Sequence, residues 1–117
     1  TLCRRDTGEK NSILKNDISA IVKMLDDIQN SMYNSADSFL KENTIELDNY
    51  QDLQERLSKE NCFIKAYWDG SEESELKVKD DTKATIRCIL EDIEGAKAKC
   101  IVSGEPAKHL VVFAKAY

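Results

Sequence analysis

Four cysteines are the feature of this 117-residue chain that most restricts how it can fold. They are Cys3, Cys62, Cys88 and Cys100. No two of them have the close spacing of a metal-binding or redox motif. An even number of cysteines in a short chain that starts at Thr1 is typical of a mature secreted protein whose signal peptide has been removed. The pattern predicts an extracellular chain with two disulfides and with no metal and no cofactor.

The composition favours helices over strands. The chain has one proline and four glycines, which is little material for the turns of a many-stranded β protein. Its longest apolar run, residues 110–114, is far shorter than the roughly 20 residues that cross a bilayer. We therefore predict a single all-α domain over residues 1–117, without a membrane span.

Apolar residues recur at helical spacing through the first half of the chain. Residues 1–11 lack this period and are expected to form an extended arm. A stripe that includes Ile18, Leu25 and Met32 predicts a long amphipathic helix from Ser12. A capping-box-like start at residues 43–46 predicts a second helix over about residues 45–66.

The second half of the chain contains a turn and two further helical stripes. The Asp69–Gly70 pair predicts a tight turn, and Glu72, Glu73 and Glu75, which follow, are expected to remain in a loop. A stripe from residue 78 to residue 100 predicts a third helix. Leu110, Phe113 and Tyr117 predict a short fourth helix, although residues 110–113 also suit a strand.

Helix geometry favours one pairing of the cysteines among the three that are possible. Cys88 and Cys100 on one continuous helix would lie about 18 Å apart, well beyond the ~4.4–6.8 Å that a disulfide allows between Cα atoms. An antiparallel hairpin of the second and third helices would bring Cys62 beside Cys88. We predict the disulfides Cys62–Cys88 and Cys3–Cys100, which would fasten an antiparallel bundle of about four helices and its extended N-terminal arm.

Charge and residue content indicate binding, not catalysis. Residues 36–94 carry 16 acids and 8 bases, so the bases do not form the clustered face of a nucleic-acid binder. His109 is the sole histidine, and the cysteines are assigned to disulfides, so no nucleophile and base can be paired. We predict a monomeric, non-enzymatic protein with no nucleic-acid partner and no catalytic residues.

The candidate partner-binding residues are Tyr67, Trp68 and Asp69. Trp and Tyr are the residue types that dominate interface hot spots, and Trp68 is the only tryptophan of the chain. The alternative is that Trp68 packs under its own loop and contributes to the core. The first interpretation predicts a binding surface where the second helix ends.

The overall plan resembles the anopheline mosquito salivary family that includes anophensin and albicin. The features that carry the resemblance are the arm with Cys3, the long helix from Ser12, Cys62 ahead of the turn at residues 68–70, and Cys88 and Cys100 on the third helix. The resemblance implies a secreted inhibitor in blood-feeder saliva. Its partners would be host plasma proteins, either the alternative complement C3 convertase or contact-system proteins of the kininogen and factor XII type.

Two other functions fit a secreted helical bundle. A short four-helix cytokine shares the plan, but its long crossover connections are not matched by the short loops expected here. A carrier of small hydrophobic ligands would need an internal cavity, which the apolar stripes do not indicate.

Overall fold

The computed structural model describes residues 1–116 and has a mixed α/β fold, so the all-α prediction is wrong. The elements are, in chain order, β1 (Leu2–Cys3), β2 (Lys10–Asn11), α1 (Ile18–Glu42), β3 (Thr44–Glu46), α2 (Tyr50–Lys59), β4 (Phe63–Trp68), α3 (Glu72–Thr82), β5 (Ala84–Asp92) and β6 (His109–Lys115). They fall into two compact units, Thr1–Glu42 and Asn43–Tyr117. That residues 1–117 behave as a single domain stays a prediction.

The first unit contains a hairpin and the long helix. β1 and β2 pair antiparallel over two residues each, so the predicted extended arm is a short hairpin. The long helix is confirmed, but it begins at Ile18 and not at Ser12. Asp17 explains this start, because its Oδ1 accepts a hydrogen bond of 3.0 Å from the Ala20 amide in the first turn. Within residues 1–116, no helix combines the length and the apolar content that a bilayer crossing needs.

The second unit is a four-stranded sheet with two helices that contribute to its core. The strand order is β3-β4-β6-β5, in which β3 and β4 are parallel and the other pairs are antiparallel. Side chains from α2, α3 and the sheet form one apolar cluster, and its members with no solvent exposure are Leu53, Ile64, Ala66, Val78, Ala84, Val111 and Phe113. This cluster sets the position of the loops that follow β4 and β5.

The predicted second helix is in fact a strand, a helix and another strand. Residues 43–46, expected to start a helix, are mostly strand β3, and α2 is instead capped by Asn49, whose side chain accepts hydrogen bonds from the Gln51 and Asp52 amides. In β4 the fully buried Ile64 and Ala66 alternate with half-buried side chains. That two-residue period is the one that a sheet with one covered face requires.

The predictions of a third and a fourth helix are also wrong. The acidic segment expected to be a loop is helix α3, because Ser71 caps it and Glu72, Glu73 and Glu75 lie in the first turn, where negative charge is favourable. The middle of the predicted third helix is strand β5, its first residues belong to α3, and residues 109–115 form strand β6, as the strand alternative proposed. Tyr117, which ended the predicted stripe, lies outside the described residues.

Neither predicted disulfide is present, and all four cysteines are free thiols. Cys88 of β5 pairs with Val112 of β6, which pairs in turn with Lys65 of β4. Strand β6 therefore separates Cys88 from β4, the strand that follows Cys62, and a two-strand separation of about 10 Å is too wide for a disulfide.

The prediction of a Cys3–Cys100 disulfide is wrong for a different reason. Its prediction placed Cys100 on a third helix, whereas Cys100 is buried in the irregular segment between β5 and β6. The Cys100 sulfur lies 4.0 Å from Ser74 Oγ, and the Cys3 sulfur lies 3.6 Å from the Gly8 carbonyl. Each sulfur thus makes this contact within its own part of the chain, and Cys3 is exposed whereas Cys100 is buried.

Candidate functional site at Asp69

The turn after β4 is organised by the carboxylate of Asp69. Its Oδ1 accepts hydrogen bonds from the Ser71 amide at 2.9 Å and from Ser71 Oγ at 2.7 Å. Gly70 between them has a φ of +82°, which only glycine adopts without strain, so the predicted tight turn is confirmed. The turn leads directly into α3, and Ser71 is the residue that caps that helix.

The second carboxylate oxygen reaches two other segments of the chain. Oδ2 accepts a hydrogen bond from Ser74 Oγ in α3 at 3.1 Å and another from Ser103 Oγ at 2.5 Å. One side chain thus joins the end of β4, the start of α3 and the turn around residue 103. We call these four residues, Asp69, Ser71, Ser74 and Ser103, the Asp69 cluster.

Backbone hydrogen bonds hold the same segments together beside the Asp69 cluster. The Ile101 amide donates to the Tyr67 carbonyl at 2.9 Å, and the Lys108 amide donates to the Trp68 carbonyl at 2.8 Å. A β-bridge between Lys99 and Pro106 closes the intervening loop. The loop over residues 99–106 is therefore fixed to the end of β4 by both main-chain and side-chain contacts.

The electrostatics of the Asp69 cluster favour an ionised carboxylate. Partial burial alone would raise the pKa of Asp69, but hydrogen bonds from Ser103, Ser71 and Ser74 outweigh it and lower this pKa to about 2. Each of these hydrogen bonds is stronger when the accepting carboxyl group is ionised than when it is neutral. The Asp69 carboxylate thus carries a negative charge in a fixed position. Hydrogen bonds from neighbouring donors occupy most of its lone pairs.

The structure places the predicted partner-binding residues on and after β4. Trp68 packs against the core, and its indole Nε1 donates to the Ser71 carbonyl at 3.2 Å. The Trp68 ring centroid lies 5.6 Å from that of His109, whose Nδ1 is 2.8 Å from Asp92. That Tyr67, Trp68 and Asp69 contact a partner stays a prediction.

Tyr67 also lines an open groove of about 690 Å³ beside the Asp69 cluster. The side chains of Lys97, Lys99 and Asp48 contribute charges of both signs to it. The residues that the structure describes include no group of three or more His, Cys, Asp or Glu side chains placed to hold a metal ion. The groove offers polar contacts on a wall formed by the 97–104 segment.

Sequence reasoning identified Asp69 but missed the three serines that surround it. Two local signals were available, because Asp-Gly-Ser is a pattern in which Asp accepts from the amide two residues on, and Ser71 precedes a run of acids as a helix cap does. The Ser103 contact had no local signal. It depends on a fold in which residues 69 and 103 are brought together.

The chain is similar to parts of known proline–tRNA ligases. The family model described as "Prolyl-tRNA synthetase, C-terminal" matches residues 50–117. The proline–tRNA ligase of Amoebophilus asiaticus (strain 5a2) is 40% identical over 117 residues, which are 99% of this chain and 24% of that protein. The ligase of Chlorobium phaeobacteroides (strain BS1) is 47% identical over 123 residues, which cover 97% of this chain and 25% of that protein.

A solved structure has the same fold over nearly the whole chain. The crystal structure of prolyl-tRNA synthetase from Cryptosporidium parvum, complexed with halofuginone and AMPPNP, superposes with a TM-score of 0.82 at 25% identity. The match covers 98% of this chain and 25% of the Cryptosporidium chain. The chain thus spans about a quarter of the length of the relatives that it matches.

These matches overturn the resemblance to the mosquito salivary family and the functions that followed from it. The relatives are enzymes that act on tRNA, so the predictions of a secreted, non-enzymatic inhibitor, of host plasma partners and of no nucleic-acid partner are wrong. The cytokine and carrier alternatives are not supported either. The family model covers more than half of the chain, and the chain therefore belongs to the family of prolyl-tRNA synthetase C-terminal regions.

Proposed function

We propose that this chain is the C-terminal part of a proline–tRNA ligase, an enzyme that joins proline to its tRNA in the cytoplasm. The observation that carries the proposal is the family match over residues 50–117, which covers nearly all of the compact unit Asn43–Tyr117. The two bacterial ligases support it, because each aligns with almost the full chain. A tRNA ligase works where tRNA is used in translation. We therefore place this ligase in the cytoplasm.

Within such a ligase, the unit Asn43–Tyr117 acts as a rigid body whose loops are held by the Asp69 cluster. The support is geometric, since one carboxylate joins the end of β4 and the start of α3 to Ser103, which is 34 positions away in the sequence. The groove with Tyr67, Lys97 and Lys99 lies along the loop that this carboxylate fixes. Asp69 is therefore a positioning residue for that surface.

The test uses the complete polypeptide that carries this sequence. We expect it to attach radiolabelled proline to tRNA specific for proline, and removal of residues 43–117 should lower kcat/KM for that tRNA. A complete polypeptide that charges no tRNA with proline would contradict the ligase assignment. Unchanged kinetics after the truncation would contradict the role given to the second unit.

A matched pair of variants separates positioning from general charge effects. Asp69→Ala removes the carboxylate of the Asp69 cluster, whereas Asp80→Ala removes an exposed carboxylate from the same unit. We expect Asp69→Ala, and not Asp80→Ala, to lower kcat/KM for the tRNA. Equal kinetics of the two variants would remove Asp69 from the positioning role.

A further inference from the structure

The Asp69–Gly70 pair is a chemically reactive sequence that the turn after β4 requires. Asp69 is the only Asp or Asn of the chain that a glycine follows. Such a pair can rearrange, because the glycine nitrogen attacks the aspartate side chain without hindrance from a β-carbon. The turn needs both residues, since Gly70 has a φ of +82° and the Asp69 carboxylate binds the Ser71 amide.

The rearrangement consumes no reagent other than water. The Gly70 nitrogen forms a bond to Asp69 Cγ, and the carboxyl hydroxyl group leaves with the amide proton as water. Water then opens the cyclic succinimide. If it adds at the main-chain carbonyl carbon and the bond from that carbon to nitrogen breaks, the chain continues through Cγ as isoaspartate. If it adds at Cγ, aspartate is restored.

Hydrogen bonds on both carboxylate oxygens oppose the first step in the folded chain. Oδ1 accepts from the Ser71 amide and from Ser71 Oγ, and Oδ2 accepts from Ser74 at 3.1 Å and from Ser103 at 2.5 Å. Attack by nitrogen converts the planar carbon Cγ into a tetrahedral one. That change moves the oxygens away from their donors, so the donors must be released before the ring can close.

The same hydrogen bonds keep the carboxylate in its unreactive form. An ionised carboxylate is a poor electrophile, and only the protonated carboxyl group loses its hydroxyl group readily. Partial burial raises the pKa of Asp69, but hydrogen bonds from serine hydroxyls and from the Ser71 amide outweigh burial and lower this pKa to about 2. The reactive form is therefore scarce at neutral pH while the Asp69 cluster is intact.

We propose that Asp69–Gly70 is a site of backbone isomerisation, that the Asp69 cluster suppresses the reaction, and that opening of the Ser74 and Ser103 contacts releases it. Isoaspartate carries its carboxylate one carbon closer to the main chain, so the product cannot restore the original contacts. The loop over residues 99–106 then loses its side-chain contact with the end of β4. The reaction depends on this turn alone and does not require the proposed ligase function.

Peptide mapping of the complete polypeptide after storage at neutral pH tests the proposal. Isoaspartate at residue 69 is measured by mass spectrometry after digestion with a protease that cleaves before aspartate but not before isoaspartate. Ser103→Ala removes one donor at an exposed position, and we expect the initial rate to rise about fivefold. Ser74→Ala combined with Ser103→Ala should raise it at least about tenfold.

Two further variants separate the local contact from other effects of substitution. Ser35→Ala combined with Ser58→Ala removes two exposed hydroxyls that donate to main-chain carbonyls in α1 and α2, and should keep the wild-type rate. Ser103→Thr retains the hydroxyl donor and should also react at nearly the wild-type rate. Wild type unfolded in urea lacks every contact of the Asp69 cluster and should react at least about 100-fold faster than the folded protein.

Three results would overturn the proposal. Absence of isoaspartate at residue 69 in urea would show that the pair is not an isomerisation site. Equal rates in folded and unfolded wild type would show that the fold does not suppress the reaction. A rate in both Ser103→Ala and the double variant with Ser74→Ala equal to that of the Ser35 and Ser58 control would remove the serine hydrogen bonds from this role.

Discussion

Ser103 Oγ donates a hydrogen bond of 2.5 Å to Asp69 Oδ2 across 34 positions of the sequence. The contact joins the end of strand β4 to a turn in the connection between β5 and β6. That connection contains no long helix or strand, so its conformation depends on contacts of this kind. The same carboxylate also binds Ser71 and Ser74, and loss of Asp69 therefore affects three segments at once.

Replacement of Asp69 by alanine is expected to destabilise the protein. The change removes hydrogen bonds from three serine hydroxyls to a charged acceptor, and Ser74 is buried, so water replaces them poorly. We expect a loss of about 2 kcal/mol in the free energy of unfolding, measured by urea denaturation of the 117-residue chain. Asp80→Ala is the control and should change this free energy by less than about 0.5 kcal/mol. A similar loss in both variants would mean that the serine contacts contribute little.

The contribution of Asp69 should depend on pH in a defined range. Its pKa is lowered from 3.8 to about 2, so its stabilising effect is complete above about pH 4 and is lost as the pH falls through about 2. Asp69→Asn does not titrate. Asp69 is partly exposed, so we expect the difference in unfolding free energy between wild type and Asp69→Asn to shrink by about 1 kcal/mol from pH 5 to pH 2.

The comparison with the variant isolates Asp69 from other acids. The pKa values of Asp81 and Asp6 are also lowered, by hydrogen bonds from Tyr50 and Arg4 respectively, but both groups are present in wild type and variant. A difference in unfolding free energy that stays constant from pH 5 to pH 2 would show that Asp69 titrates normally in the folded chain.

Sequence reasoning succeeded where the apolar period was long and uninterrupted. Helix α1 satisfies a helical period over 25 residues, and no shorter interpretation competes with it. In β4 the sequence Phe63 to Trp68 has large apolar side chains on both faces, so helical and strand periods both fit six residues. Six residues are too few to separate the two periods, so the sequence predicts this strand as the continuation of a helix.

The fold prediction is wrong largely because of the cysteines. Their even number was interpreted as evidence of disulfides in a secreted protein. Cys62 and Cys100 are buried thiols that pack as small apolar side chains, a role that sequence spacing does not distinguish from half of a disulfide. The assumption of two disulfides then led to the prediction of a small secreted helical bundle. The Asp69 cluster was missed for a related reason, since Ser103 comes near Asp69 only in a sheet that the helical interpretation excluded.

The core of the second unit should be much more sensitive to truncation than its surface. Leu53 in α2 has no solvent exposure, whereas Leu76 in α3 is 47% exposed. Leu53→Ala should lower the free energy of unfolding by about 3 kcal/mol, because it leaves a cavity among packed side chains. Leu76→Ala should cost less than about 1 kcal/mol in the same urea titration. Equal costs would contradict the burial of Leu53 in the apolar cluster of the second unit.

The four thiols should react in two classes when the chain is kept without reductant. Cys3 and Cys88 are exposed, and Cys62 and Cys100 are buried. Burial also raises the pKa of Cys62, so its reactive thiolate is scarce at neutral pH. With a chromogenic disulfide reagent at pH 8, we expect two thiols to react rapidly in the native protein and all four to react in denaturant.

Two single substitutions assign these classes. Cys88→Ser should reduce the rapidly reacting thiols from two to one, whereas Cys100→Ser should leave two and reduce only the total measured in denaturant. A wild-type chain that exposes fewer than four thiols in denaturant would contain a disulfide and contradict the free-thiol structure. Rapid reaction of Cys100 in the native state would instead show that the segment between β5 and β6 opens readily, and that the hydrogen bonds from Ser74 and Ser103 to Asp69 do not hold it closed.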